Sequence, residues 1–185
     1  MTYKTHLSTG LLFSSVVFLL IYKIELAPAL VFLLIISTVL GSSAPDLDTP
    51  TGELWDKIPG GSLISRIVNP VFIGGHRHLS HSFIGLGIFT GLFYLLLKVI
   101  PYEPAAHNFG LIILAYITGH LSHIFADLFT EAGVPLLFPL GYHFGIPPVE
   151  KMRIKTGRWF ENLIVYPAVN LVLILVIYMY IKGAK

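Results

Sequence analysis

Three residues near the middle of the chain can do chemistry together: His120, His123 and Asp127, in the stretch GHLSHIFADLF from Gly119 to Phe129. At 3.6 residues per turn, positions 120, 123 and 127 share one helix face. An imidazole and a carboxylate one turn apart reach a single metal ion, as the two histidines of H-E-x-x-H do. The stretch closes a long apolar run, and ionisable groups inside a membrane helix are costly enough that they usually have a function and a partner. The rest of the chain must supply those partners.

The 185 residues are 55% hydrophobic and only 12% charged, with a mean hydropathy of +0.78. A soluble domain has about 25% charged residues, so the composition indicates an all-α, polytopic membrane protein forming a single domain over 1–185. A formal charge of +2 gives no footing for nucleic-acid binding. The chain has no cysteine, which excludes disulfides, thiolate zinc sites, iron–sulfur clusters and cysteine nucleophiles. Any metal must be held by nitrogen and oxygen.

About five apolar runs follow one another, over about Leu7–Tyr22, Pro28–Ser42, Phe83–Ile100, Phe109–Phe129 and Leu163–Ile181. The first reads as a membrane helix rather than a signal peptide, because no small-residue cleavage site follows it. Pro28 suits a helix start. The first two runs fall short of the roughly 20 residues a span needs, which predicts polar helix ends tucked into the protein. Ser62–Ile73 mixes apolar and basic residues and is expected in the interface plane. Val134–Val149, broken by Pro and Gly, is expected to be re-entrant or interfacial. With the N-terminus inside, Lys4, Lys57, Arg66, Arg77, Lys151, Arg153, Lys155 and Arg158 face the cytoplasm, against Lys23, Lys98, Lys182 and Lys185 on the far side. The basic excess predicts N-in and C-out in an inner or plasma membrane.

This topology segregates the chemistry. His6, Asp46, Asp48, His76, His78, His81, His120, His123, Asp127 and Glu161 all fall at cytoplasmic helix ends. Imidazoles and carboxylates without thiolates suit zinc, with manganese, iron or magnesium as alternatives, and there are ligands enough for one or two ions. A bound ion lowers the pKa of water toward about 7. Asp48 or Glu161 is expected to relay the proton, and Arg77 with the Lys151–Arg158 group to hold an anionic substrate, a phosphate. His107 and His143 read as structural.

These motifs resemble the YdjM/YbcI-like family of inner-membrane metal-dependent hydrolases. The resemblance is carried by His6, PDLD (Pro45–Asp48), GHR..SHS (Gly75–Ser82) and LSHIFADLFTEAGVPLLFP (Leu121–Pro139), with TGRWFE (Thr156–Glu161) a weaker match. It implies a metal cluster of His6, Asp46, Asp48, His76, His81, His123 and Asp127, with Glu161 accessory and His120 an addition. Ser80 stands where threonine is common. A more distant analogy links the helical zinc-dependent phospholipase C proteins. The expected function is therefore metal-dependent hydrolysis of a phosphoester on a lipid or membrane-associated substrate. A metal transporter or channel using the same ligands, a bis-histidine haem carrier, and a non-catalytic, metal-stabilised or partner-recruiting protein stay open beside it.

Overall fold

The computed structural model describes residues 1–23, 27–48, 53–56, 59–68, 78–99 and 108–183. Their elements, in order, are α1 (Tyr3–Ser15), α2 (Pro28–Ser43), α3 (Glu53–Asp56), α4 (Gly61–Val68), α5 (Phe83–Val99), α6 (Phe109–Leu128) and α7 (Tyr166–Gly183). Wide π-helical turns extend α1 through Val16–Ile21 and open α7 at Glu161–Val165. No strand occurs among the described residues, only two isolated bridges, Thr130 with Ile154 and Val134 with Phe144.

Among the described residues, four helical stretches are long and apolar enough to cross a membrane: Tyr3–Ile21, Pro28–Asp48, Phe109–Leu128 and Glu161–Gly183. The fifth apolar helix, α5, has 17 residues, a length of about 25 Å against a hydrocarbon core of about 30 Å. The first two spans are longer than their apolar runs because each helix carries its polar residues inside the fold. Tyr3–His6 begin α1, and a 3₁₀ turn, Pro45–Asp48, continues α2.

Helix α6 is the centre of the bundle, packing on α2, α1 and α5. Small residues set how close the helices come. A Cβ on Gly41 would run into the Tyr116 carbonyl, and one on Gly119 into the Thr38 carbonyl. The two glycines therefore let the α2 and α6 backbones meet, as small residues do in membrane bundles. Buried hydroxyls are satisfied locally: Thr9, Ser37 and Thr118 each donate to the carbonyl four residues back, at 2.7 Å. Ser14 and Thr38 bond across α1 and α2 at 2.7 Å. Below this polar layer, Phe18, Leu34 and Ala115 form one apolar cluster, and Phe93, Ile112 and Tyr116 belong to another.

The expected interfacial segment is helical as α4 over Gly61–Val68; residues 69–73 lie outside the described residues. The 134–149 stretch forms turns and bridges rather than a helix. It is tied to the end of α6 by Ile146 N–H donating to the Leu128 carbonyl at 2.8 Å, and to the start of α5 by Phe83 N–H donating to the Leu136 carbonyl at 3.1 Å.

Candidate metal centre

Histidine 123 is held first by backbone. Its Nδ1–H donates to the Ser42 carbonyl at 2.7 Å, a contact possible because Gly41 and Gly119 bring α2 against α6. In the neutral ring that bond leaves Nε2 as the lone-pair nitrogen. His81 is held by side chains. Its Nδ1–H donates to Ser80 Oγ at 2.9 Å, and the Ser80 hydroxyl donates onward to Asp48 Oδ2. That chain likewise turns the lone pair of His81 to Nε2. The two Nε2 atoms face each other at 3.2 Å, and the five residues come from three elements: His123 from α6, Ser80 and His81 from the turn before α5, and Ser42 and Asp48 from the end of α2 and its 3₁₀ continuation.

Two carboxylates complete the arrangement. Asp127 Oδ2 lies 3.5 Å from His81 Nε2 and 3.8 Å from His123 Nε2, and Asp46 Oδ1 lies 3.7 Å from His123 Nε2. Ligands at about 2.0–2.1 Å around a tetrahedral ion sit roughly 3.3 Å from one another. The observed spacings approach that size. Two lone pairs turned toward each other beside a buried carboxylate need a cation between them, either a proton or a metal. Burial disfavours the charged form of His81, but hydrogen bonds and charge from Asp127 and Asp48 outweigh it and raise its pKa. The donor set thus fits a divalent ion, with the outer nitrogen of each imidazole fixed by a carbonyl or a hydroxyl–carboxylate pair, as in known metal sites.

The other oxygen of Asp127 faces α1. His6 Nε2 is 3.3 Å from Asp127 Oδ1, the Met1 amine contacts the same oxygen, and the His6 ring stacks on His123 with centroids 3.5 Å apart. His6 Nδ1 is buried with no hydrogen-bond partner among the described residues. The cluster therefore contains two overlapping triads, His6–His123–Asp127 and Asp46–His81–His123. Asp46, 21% exposed, is the member through which they reach water.

Of the residues singled out in the sequence, the structure brings His6, Asp46, His81, His123 and Asp127 together. Asp48 stands behind His81, 3.7 Å from its Nδ1 and on the side away from Nε2. Glu161 lies outside both triads. Its carboxylate accepts from Thr2 N–H at 2.6 Å, Thr2 Oγ1–H at 2.8 Å and Gly157 N–H at 2.7 Å, tying the start of α1 to the start of the last span. His120 donates Nε2–H to the Ser80 carbonyl at 3.1 Å and so braces the turn that carries His81. His78 lies edge-on to Phe138 and His143. His76, Arg77 and His107 fall outside the described residues. The orienting roles of the Ser80 hydroxyl and the Ser42 carbonyl are the parts that sequence reasoning did not assign. The hydroxyl had one signal, its place between His78 and His81, whereas a backbone carbonyl carries none.

A family model described as "YdjM inner membrane protein" matches residues 1–184. The Inner membrane protein YdjM of Escherichia coli (strain K12) is 34% identical over 111 residues, which cover 60% of this chain and 52% of that protein. The chain thus spans about half the length of that relative, and the same holds for its Shigella flexneri counterpart. The protein YvsG of Bacillus subtilis (strain 168) is 30% identical over 128 residues, 69% of this chain and 68% of its own length. No solved structure matches.

Proposed function

The chain belongs to the YdjM family of inner membrane proteins, and on that footing we propose that it is a membrane-bound, metal-dependent hydrolase acting on a phosphoester of a lipid or membrane-associated substrate. The observation that carries this reading is the pair of Nε2 atoms facing at 3.2 Å, with Asp127 and Asp46 beside them and each ring's outer nitrogen already committed. A structural site is normally closed by its protein ligands, whereas a catalytic one keeps an open side. Here the open side is at Asp46, the partly exposed member of the cluster.

When bound, a divalent ion, zinc first and manganese, iron or magnesium as alternatives, supplies Lewis-acid polarisation of water and of a phosphoryl oxygen. His81, His123, Asp127 and Asp46 hold the first ion, and His6 with Asp127 Oδ1 offers a second position. Asp48, accepting from the Ser80 hydroxyl that in turn accepts from His81 Nδ1–H, keeps that proton on Nδ1 and the His81 lone pair on Nε2. Arg77, next in sequence to the His78–Ser82 turn, contacts the anionic substrate. Glu161 acts one layer out, fixing the helix start that carries His6. The basic excess at Lys4, Arg66 and Lys151–Arg158 supports a site on the cytoplasmic face.

Elemental analysis of the detergent-purified protein beside the His123→Ala/Asp127→Ala variant tests the site. One or two equivalents of metal in the wild type, lost in a variant that still inserts into membranes, are expected. Metal-loaded wild type should then release phosphate or a phosphorylated headgroup from phospholipid. A wild type that takes up no metal even on reconstitution sinks the hydrolase reading.

A further inference from the structure

The last span is preceded by a pocket that the metal centre does not use. A cavity of about 360 Å³ is lined by Met152, Ile154, Lys155, Arg158, Trp159 and Phe160, with Arg153 in its wall. We infer that this pocket binds the phosphate of one anionic phospholipid headgroup.

The cations of the pocket divide by what they already hold. The Arg153 guanidinium is spent on backbone: it donates to the Pro147 carbonyl at 2.7 Å, the Pro148 carbonyl at 3.0 Å and the Glu131 carbonyl at 3.3 Å. It shapes the wall and has little left for a ligand. Lys155 Nζ lies 3.5 Å from Glu131 Oε1, with both side chains exposed, a kind of pair that is weak in water and yields to a better anion. The Arg158 side chain has no hydrogen-bond or ion-pair partner among the described residues. Its planar fork is suited to two phosphate oxygens at once. Residues 145–160 contain four cations, Lys151, Arg153, Lys155 and Arg158, against one carboxylate, Glu150.

Depth identifies the source of the phosphate as a lipid. Trp159 is 67% exposed and Phe160 42% exposed, and both immediately precede Glu161, the first residue of the last span. Exposed tryptophan at a span end sits at the level of the headgroups. Arg158 and Lys155 are therefore held at phosphate depth, while Met152, Ile154 and the two rings offer apolar surface to the glycerol and first methylenes. A basic cluster directly beside a span is the usual anchor for anionic lipid. This pocket adds concavity and aromatic walls, which a simple topological charge signal does not require. The inference stands on its own geometry and does not depend on the hydrolase reading.

Native mass spectrometry of the full chain in detergent tests it, titrating phosphatidylglycerol or phosphatidylcholine of matched chains, with soluble glycerol phosphate as competitor. The wild type should bind one phosphatidylglycerol at least about fivefold more tightly than phosphatidylcholine, each cation contributing about that factor. Lys155→Gln/Arg158→Gln should abolish the preference while keeping the wild-type melting temperature and metal content. Lys182→Gln, at the other end of α7, should leave it intact. Equal binding of the two lipids by the wild type, or a preference that survives the double variant, overturns the assignment. So does a preference lost equally in Lys182→Gln. Displacement of the lipid by millimolar glycerol phosphate overturns it in favour of a soluble phosphate ester.

Discussion

Replacing Ser80 with alanine removes one oxygen from a fully buried position and should weaken metal binding about 10–100-fold, the usual effect of losing a group that orients a ligand. The magnitude follows from what the hydroxyl touches. It accepts from His81 Nδ1–H at 2.9 Å and donates its own hydrogen bond to Asp48. Without it, the carboxylate behind is 3.7 Å from Nδ1, beyond hydrogen-bonding reach. A buried donor left unsatisfied costs about 1–3 kcal/mol. The ring can avoid that cost by rotating or by moving its proton to Nε2, and either change removes the lone pair that faces His123. The turn itself should survive, since the Ser80 carbonyl keeps its bond from His120 and Ser82 N–H still donates to the Leu79 carbonyl. The assay is competition with a chromophoric chelator for zinc and for manganese, on full-length protein in detergent. Ser80→Thr keeps the hydroxyl and should bind metal within a fewfold of the wild type. Wild-type affinity in Ser80→Ala, or equal weakening by Thr and Ala, would refute the role given to the Ser80 hydroxyl.

Other residues separate scaffold from site. Glu161→Gln can no longer accept all three bonds from Thr2 and Gly157; it should lose about 1–3 kcal/mol of stability, read as a lower melting temperature, with metal stoichiometry unchanged by elemental analysis. Unchanged melting with lost hydrolysis would instead give Glu161 the catalytic relay. Gly119→Ala drives a methyl into the Thr38 carbonyl, which should cost about 1–3 kcal/mol and lower metal affinity in the same protein by drawing the Ser42 carbonyl off His123. Gly110→Ala, which meets open space, should change neither quantity.

The helices and most of the site were legible because the membrane simplifies the code. Long apolar runs give spans directly, and the ionisable residues stand out because each is costly there. That is why His6, Asp46, His81, His123 and Asp127, separated by up to 121 positions between His6 and Asp127, fell among the ten residues that topology gathered at one end of the helices, while the narrower ligand set came from the family resemblance. The division of labour among them was not legible. Asp46 and Asp48 are two residues apart in one motif, yet one joins a triad and the other stands behind His81. A 3₁₀ turn rotates successive side chains in a way that composition does not encode. Glu161 looked like a relay because it is an acid at the start of the last span, on the same expected side as the cluster. Its carboxylate instead serves backbone N–H groups of Thr2 and Gly157, and backbone partners leave no trace in residue types.

The same geometry weighs against metal transport. A permeation path needs a succession of donors leading away from the site. Moving inward from His6 and His123, the next polar groups are Ser42, Ser122 and Thr9, each donating its hydroxyl to a carbonyl three or four residues back on its own helix. Ser14 and Thr38 follow, bonded to each other at 2.7 Å. Beyond them stand Phe18, Leu34 and Ala115, buried and in one cluster. An ion leaving the His/Asp cluster in that direction would exchange four or more nitrogen and oxygen donors for hydroxyls already engaged, and then for hydrocarbon, where an unpaired charge is prohibitive. The opening at Asp46 has no such barrier, because that carboxylate already reaches solvent. Among the described residues the centre is thus open at Asp46 and closed toward the hydrocarbon, an arrangement suited to holding an ion rather than to passing it across the membrane.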